Sequence, residues 1–245
     1  MCIRDRVETA EAIHGDSGME IHGFDLPEPE VAVQEGHAVR AIIDTIMAEE
    51  PGTVTLVPTG PLTNIALAAR LEPRIVERVR EVVLMGGAYG TGNWTASAEF
   101  NVVADPEAAH IVFNESWPVV MVGLDLTHQA LATPEVEKRF AALGTPVGDL
   151  VVGLFDAFRT NYKDNQGFDN PPVHDPCCVA YLIDPSVVKT VPVPVDVELS
   201  GALTAGRTVA DFRAPAPADC HTSVATELDA DRFWDLVVGA AENLG

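Results

Sequence analysis

The sequence predicts an α/β protein in which a mostly parallel sheet is wrapped by helices, as in Rossmann-like folds. Short apolar runs of five or six residues alternate with longer stretches in which apolar residues recur at helical spacing. Strands that alternate with helices in this way form parallel sheets. The chain of 245 residues contains no internal repeat and no low-complexity linker, so we expect residues 1–245 to form one domain.

Three buried strands and one edge strand account for the predicted sheet. Residues 53–58, 81–85 and 119–124 are short and almost wholly apolar, as buried strands are. Residues 191–197 carry valine at alternate positions, with proline at two of the positions between. Proline cannot donate to a neighbouring strand, so this pattern indicates an edge strand.

Proline, preceded by a capping residue, marks where several predicted helices begin. Asp105-Pro106, Thr133-Pro134 and Asp175-Pro176 each place an N-cap side chain before a proline in the first turn. The predicted helices cover about residues 31–49, a segment that begins near 61, residues 106–114, a segment from 134, and residues 147–162, 176–183 and 231–242.

The charge balance excludes one large class of partner. The 15 basic and 37 acidic residues give a formal net charge of −22, and nucleic-acid binding needs clustered lysine and arginine. No apolar run is long enough to cross a bilayer, and the start of the chain lacks the apolar core of a secretory signal. We therefore expect a cytoplasmic enzyme or small-molecule binder. Residues 1–6 fit nothing that follows them, and we expect them to be non-native.

Polar side chains follow the predicted strands, at the edge of the sheet where α/β proteins bind ligands. Asn93, Glu99 and Asn101 follow the strand that ends at Met85. Sugar hydroxyl groups need hydrogen-bond donors and acceptors together, and carboxylate and amide side chains supply both. Taken one at a time, the two asparagines could be turn residues and the glutamate a surface acid.

A second polar cluster combines oxygen donors with a histidine. Asp175 and a backbone carbonyl near Thr127 are hard oxygen donors of the kind that Ca²⁺ prefers. His174, next to Asp175, suits proton transfer near neutral pH. Each residue also has a structural interpretation: Asp175 as the N-cap of its helix, His174 as a half-buried histidine, and Thr127 as a local cap.

The order of these clusters resembles the inosine–uridine preferring nucleoside hydrolase family. The resemblance extends from about residue 14 to residue 185 and is weaker beyond it. Five sequence motifs of that family occur here in order: His14-Gly-x-x-Gly, Pro58-Thr-Gly-Pro-Leu-Thr-Asn64, Met85-Gly-Gly87, Glu99-Phe-Asn101 and His174-Asp-Pro176.

The resemblance implies roles for the sugar- and metal-binding residues. Asp175 is expected to bind calcium and a ribose hydroxyl, and Thr127 to offer its backbone carbonyl to the metal. Asn101 is expected to hold a ribose hydroxyl, while Asn93 and Glu99 hold the 5′-hydroxyl end. The expected reaction is cleavage of the N-glycosidic bond of a ribonucleoside, which passes through a transition state with oxocarbenium character.

The resemblance also implies how the sugar is enclosed and how the base departs. Met85 and Phe100 would line the sugar pocket, and His14 would lie in the base pocket. His174 would protonate or polarise the leaving base, and its presence favours broad or pyrimidine-preferring members over purine-specific ones. The family further implies a cytoplasmic homodimer or homotetramer in purine and pyrimidine salvage.

One expected motif does not occur. Family members carry an aspartate run, D-x-D-x-x-x-D-D, which supplies the general base and most metal carboxylates, and the 245 residues contain no such run. We expect that a first strand and helix, about 30 residues or more, are missing at the N-terminus. The chain as it stands is therefore expected to be inactive.

Other functions compete with this interpretation. A nucleoside- or ribose-binding protein without catalysis would keep the sugar contacts and dispense with the aspartates, and a hydrolase of another ribosyl compound would also use them. Residues 15–18 resemble the nucleophile loop of trypsin-like proteases, but those are all-β proteins. The glycines at 86–92 lack the spacing of a dinucleotide loop.

Overall fold

The structure is a computed structural model that describes Ile21, Leu26 and residues 28–244. Contacts between Cα atoms divide the chain into two compact units. The larger unit consists of Val33–Thr127 and His174–Leu228. The described residues of the smaller unit are His128–Val173, those that precede Val33, and residues 229–244.

The larger unit is built on a mostly parallel five-stranded sheet. The strands of the described residues are β1 (Val54–Leu56), β2 (Val79–Met85), β3 (Val119–Val122), β4 (Val188–Pro192), β5 (Val195–Val197), β6 (Thr208–Ala210) and β7 (Thr222–Leu228). The order in the main sheet is β1-β2-β3-β7-β4, in which β4 is antiparallel to β7 and the other pairs are parallel. Strands β5 and β6 form a separate antiparallel pair.

Helices precede, separate or follow the strands along the described part of the chain. They are α1 (Ala38–Ala48), α2 (Thr63–Leu71), α3 (Ile75–Arg78), α4 (Phe100–Ala104), α5 (Pro106–Asn114), α6 (Leu124–Thr127), α7 (Pro134–Ala141), α8 (Pro146–Gln166), α9 (Pro176–Ile183) and α10 (Ala230–Leu244). None of the helices in the described part of the chain is long and apolar enough to cross a membrane.

The sheet of the larger unit is covered on both faces. Val82 and Leu84, on one face of β2, join a buried cluster with residues of α1, α2 and α5. Successive side chains of a strand point to opposite faces. The buried side chains of Val83 and Met85 therefore lie on the other face of β2, and helix α9 packs against that strand. This arrangement confirms the α/β fold that the sequence predicts.

Most predicted elements are present, with changed bounds. Asp105 caps α5 as expected, because its Oδ1 accepts from Ala108 N at 3.1 Å. The segment predicted as one edge strand is two strands: β4 lies at the edge of the main sheet, and β5 pairs with β6. The chain changes sheets at residues 193–194, where Pro194 has no N–H to continue a ladder.

Three helices that pack around a shared aromatic core form most of the described part of the smaller unit. Phe140 of α7 packs edge-on against Phe155 of α8, with ring centroids 5.6 Å apart, and against Trp234 of α10 at 6.3 Å. An ion pair between Arg139 and Asp235, 2.7 Å long, joins α7 to α10 at the surface. This unit therefore has a core of its own.

Candidate active site

The loop that follows β2 is the centre of the candidate site. It contains Gly87, whose φ of +76° is readily adopted by glycine and strained for other residues. A Cβ atom at Gly87 would also lie 2.8 Å from the side chain of Thr208. The glycine therefore serves both the turn and the close packing of the loop against β6.

Glu99 is buried beneath this loop and holds it by hydrogen bonds. Only 2% of the residue is exposed, yet its carboxylate accepts from three backbone N–H groups. Oε2 accepts from Gly87 N at 2.8 Å and from Val102 N at 3.2 Å, and Oε1 accepts from Asn101 N at 2.8 Å. Burial raises the pKa of Glu99 to about 7, the N–H donors oppose that rise, and the charge of Asp175 adds slightly to it.

Asn101 and Asn93 join the same cluster through amide hydrogen bonds. Nδ2 of Asn101 donates to the backbone oxygen of Met85 at 3.0 Å, and Oδ1 of Asn93 accepts from Phe100 N at 3.0 Å. Asn101 is 8% exposed. Five of the residues predicted to bind the sugar are thus gathered in one place by hydrogen bonds and by chain neighbourhood: Met85, Asn93, Glu99, Phe100 and Asn101.

His174 contacts Thr127, one of the two predicted metal ligands, through the hydroxyl group of its side chain. Oγ1 of Thr127 lies 2.7 Å from Nδ1 of His174, a hydrogen bond between α6 and the start of α9. Thr127 has no exposed surface, and His174 is half-buried. The resemblance predicts a role only for the backbone carbonyl of Thr127, so the hydroxyl contact is an additional finding.

Asp175 is not an N-cap in the usual sense. It precedes α9, but its backbone is helical (φ −59°, ψ −41°) and its carboxylate makes no capping hydrogen bond. The capping interpretation of Asp175 is therefore wrong. The residue as a whole is exposed, yet the protein atoms around its carboxyl partly desolvate that group and raise its pKa to about 6.

One predicted site residue lies beyond what the structure describes. His14, expected in the base pocket, falls outside the described residues, as does the rest of the His14-Gly-x-x-Gly motif. Its role stays a prediction.

Three residues of this edge were not predicted from the sequence. The carboxylate of Asp125 accepts from Tyr89 N at 2.8 Å and Gly90 N at 3.0 Å, so it fixes the far side of the loop. Thr208 does the same for Ala88, accepting from its N–H and donating to its carbonyl, both at 2.8 Å. The carbonyl of Thr59, after β1, lies 3.4 Å from Nδ2 of Asn101. Asp125 had a sequence signal, its place directly after a predicted strand, and Thr59 lies within the family motif Pro58–Asn64, whereas Thr208 had no signal.

Thr208→Val is expected to destabilise the protein by about 2 kcal/mol, because two buried backbone groups of Ala88 lose their partner while the shape is nearly kept. The measurement is urea unfolding followed by circular dichroism. Thr190→Val, on the edge strand β4, where no side-chain hydrogen bond is formed with described residues, is the control and should change stability by less than about 0.5 kcal/mol. Equal effects of the two changes would contradict the clamping role of Thr208.

Comparison with known proteins identifies the family. The family described as inosine-uridine preferring nucleoside hydrolase matches residues 2–235. The chain belongs to this family. It is 57% identical over 240 residues to the inosine-uridine preferring nucleoside hydrolase of Crithidia fasciculata, covering 98% of this chain and 76% of that protein. It is 46% identical over 229 residues to the pyrimidine-specific ribonucleoside hydrolase RihB of Escherichia coli O157:H7, covering 93% of this chain and 72% of that one.

A solved nucleoside hydrolase has the same fold. The purine-preferring ribonucleoside hydrolase from Gardnerella vaginalis superposes with a TM-score of 0.88 at 33% sequence identity, over 98% of this chain and 77% of that one. The predicted nucleoside hydrolase fold and family are therefore confirmed. The chain is an enzyme of the nucleoside hydrolase type, a class of N-glycosidase.

Proposed function

We propose that this protein hydrolyses the N-glycosidic bond of ribonucleosides and releases ribose and the base. The oxygen of a water molecule bonds to C1′ as the bond from C1′ to the base nitrogen breaks. The electron pair of that bond passes to the base, and the protons of the water end on ribose and base. The observation that carries the proposal is the clustering of Met85, Asn93, Glu99, Phe100 and Asn101 at the carboxyl end of β2, in a chain of this family.

The hydrogen bonds within the cluster support a specific assignment of atoms to the ribose. Asn101 uses Nδ2 on Met85, which leaves Oδ1 to accept from a ribose hydroxyl. Asn93 uses Oδ1 on Phe100, which leaves Nδ2 to donate toward the 5′-hydroxyl end. Both oxygens of Glu99 already accept from the backbone, so we assign to it the positioning of this loop in addition to a contact with the 5′-hydroxyl.

We propose calcium as the metal, held in part by Asp175 and the backbone carbonyl of Thr127. A carboxylate that caps no helix and a carbonyl oxygen fit calcium in kind. They do not fit it in number, because calcium takes about 6–8 oxygens. Within residues 28–244 no group of three or more histidine, cysteine or acidic side chains is placed to hold a metal. When bound, such a metal would polarise a water and orient ribose hydroxyls.

The donor count leads us to propose that the 245-residue chain alone turns over nucleosides slowly. We expect its rate of ribose release with calcium to rise at least about 100-fold when the aspartate-rich segment of a family member is fused before it. The measurement is a reducing-sugar assay with and without chelator. The matched control carries the same fusion with its aspartates replaced by asparagine. Rapid calcium-dependent release by the unfused chain would refute this proposal.

The fused chain also tests the function itself. Ribose release from inosine and uridine is expected, and the panel should include a ribosyl compound that is not a nucleoside. Saturable nucleoside binding without release in the fused chain would instead support the alternative of a binding protein. Release from the other ribosyl compound only would support the alternative of a hydrolase that acts on a ribosyl compound other than a nucleoside.

His174 and the named relatives support a broad base preference. The Crithidia relative is named inosine-uridine preferring and the Escherichia relative pyrimidine-specific. We propose that this chain accepts uridine and inosine, acts in the cytoplasm in nucleoside salvage, and forms a homodimer or homotetramer. Light scattering on the purified protein tests the assembly.

A further inference from the structure

Helix α6 connects the two groups of residues that we propose bind ribose. Its last residue, Thr127, carries the backbone carbonyl assigned to the metal. Its second residue, Asp125, binds the loop after β2, and that loop contains Asn93. The start of the helix is fixed, since Leu124 N donates to Gly87 O at 2.9 Å. Asp125 therefore has a defined position beside the loop.

Both carboxylate oxygens of Asp125 accept hydrogen bonds from consecutive peptide groups of the loop. Oδ2 accepts from Tyr89 N at 2.8 Å, and Oδ1 accepts from Gly90 N at 3.0 Å. The approach is close, because a Cβ atom on Gly90 would lie 2.5 Å from Oδ1 of Asp125, nearer than real Cβ atoms come to other atoms. The φ angle of Gly90 lies outside the left-handed region, so the carboxylate, and not the turn, disfavours a side chain here.

The backbone that leads from Gly90 to Asn93 has little room to move. Only two residues lie between them, and one of these is Gly92, on which a Cβ atom would overlap the backbone oxygen of Ala98. Asn93 is held on its other side through its own Oδ1, which accepts from Phe100 N at 3.0 Å. A displacement of the peptide group at Gly90 is therefore transmitted to Asn93.

We infer that Asp125 is a positioning residue, which sets the place of Asn93 relative to the metal side of the ribose site and so determines how strongly a nucleoside with a 5′-hydroxyl is favoured. This inference rests on the proposed function. Asp125 acts through the loop and not by contact with the reacting atoms. The 5′-hydroxyl is remote from C1′, and binding energy from a remote group of the substrate orients the reacting centre. A displaced Asn93 loses that contribution.

Two substitutions break this contact from opposite sides. Asp125→Asn leaves one acceptor oxygen for two N–H groups, so one of them loses its partner. Gly90→Ala places a methyl group against Oδ1 of Asp125, and the carboxylate, at the end of a side chain, moves aside. Because Gly90→Ala keeps the charge of Asp125, it separates the loop contact from any effect of charge near the metal site. The matched controls are Asp219→Asn, at an exposed position, and Gly239→Ala, where a Cβ atom would meet nothing within 4 Å.

The deciding measurement compares uridine with 5′-deoxyuridine as substrates of the fused chain. We expect kcat/KM for uridine to fall about tenfold in Asp125→Asn and in Gly90→Ala, as the loss of one substrate hydrogen bond predicts. 5′-Deoxyuridine has no hydroxyl for Asn93 to hold, so its kcat/KM should change less than about twofold, and the double variant should lose no more than either single one. An equal fall for both substrates would overturn the inference, because general damage to the site does not distinguish them.

Amide hydrogen exchange in the 245-residue chain, followed by NMR, tests the contact without turnover. We expect exchange at least about tenfold faster at Tyr89 or Gly90 in Asp125→Asn, and at position 90 in Gly90→Ala. The amide of Ala88, which donates to Oγ1 of Thr208 at 2.8 Å, is the internal reference and should stay protected. Full protection of both loop amides in both variants would overturn the inference.

The two assays separate failure of this inference from failure of the proposed function. No ribose release by the fused parent chain would refute the proposed function and the inference with it. An unchanged preference for uridine over 5′-deoxyuridine in active variants would refute the inference alone.

Discussion

Glu99→Gln is expected to lower the free energy of unfolding by about 3 kcal/mol at pH 5. Three backbone N–H groups donate to the two carboxyl oxygens of Glu99, and the protonated carboxyl that a pKa of about 7 implies at pH 5 still has a lone pair on each oxygen to accept them. The amide of glutamine has one oxygen, so its NH₂ group must face one of these donors. The glutamine NH₂ group and the backbone N–H group that it faces would both be buried donors without an acceptor. Each such donor costs about 1–3 kcal/mol.

The difference between Glu99 and glutamine should shrink as the pH rises. The pKa of Glu99 is about 7 in the folded protein and 4.5 in an unfolded chain, with burial as the largest cause. Between these values the folded state binds more protons than the unfolded state, so stability falls as the pH rises from about 4.5 to about 7. That interval corresponds to about 3 kcal/mol. Glutamine does not titrate, and the variant lacks this slope.

Urea unfolding at about pH 5 and about pH 8 measures both effects. Glu77→Gln is the matched control, because Glu77 is exposed and forms no side-chain hydrogen bond with a described residue. We expect that control to lie within about 0.5 kcal/mol of the parent at both values. A stability difference for Glu99→Gln that grows with pH would show that the carboxylate is more stable ionised in the fold, contrary to the raised pKa.

The fold was predictable where local signals agree with tertiary packing. The Asp105-Pro106 pair predicts the start of α5, and the structure has the expected capping bond. Strand β7 was missed, although it lies inside the sheet, because its sequence from Thr222 to Leu228 contains serine, threonine and glutamate. Its place between β3 and β4 depends on long-range pairing, which a local pattern does not encode.

The candidate site likewise contains residues that local motifs predict and contacts that only the fold reveals. Glu99, Asn101 and His174 lie within short motifs that can be recognised in the sequence. The structure brings the first two together around Met85. Thr208 gave no signal, because it comes from β6, 120 residues beyond the Ala88 that it binds. The contact of the Thr127 hydroxyl with His174 likewise gave no signal, since the two residues lie 47 positions apart in the chain. Residue identity predicts chemical capacity, while the pairing of two distant groups requires the fold.

Asp175→Asn is expected to lower kcat/KM for ribose release by the fused chain on the order of 10³-fold, which corresponds to about 4 kcal/mol. The substitution keeps the shape of the side chain and removes the negative charge that we propose binds calcium and a ribose hydroxyl. Calorimetric titration should show weaker calcium binding as well. Asp219→Asn, at an exposed position, is the control and should leave both quantities unchanged.

The stability of Asp175→Asn distinguishes a functional carboxylate from a structural one. Asp175 makes no capping hydrogen bond, and desolvation raises its pKa, so its charge is a cost to the metal-free fold. Asparagine removes that cost, and the metal-free variant should be at least as stable as the parent in urea. A functional site retains an unfavourable charge because the charge is needed when ligands bind. Loss of stability together with loss of activity would mean that Asp175 acts by supporting α9, and it would remove the residue from the proposed metal site.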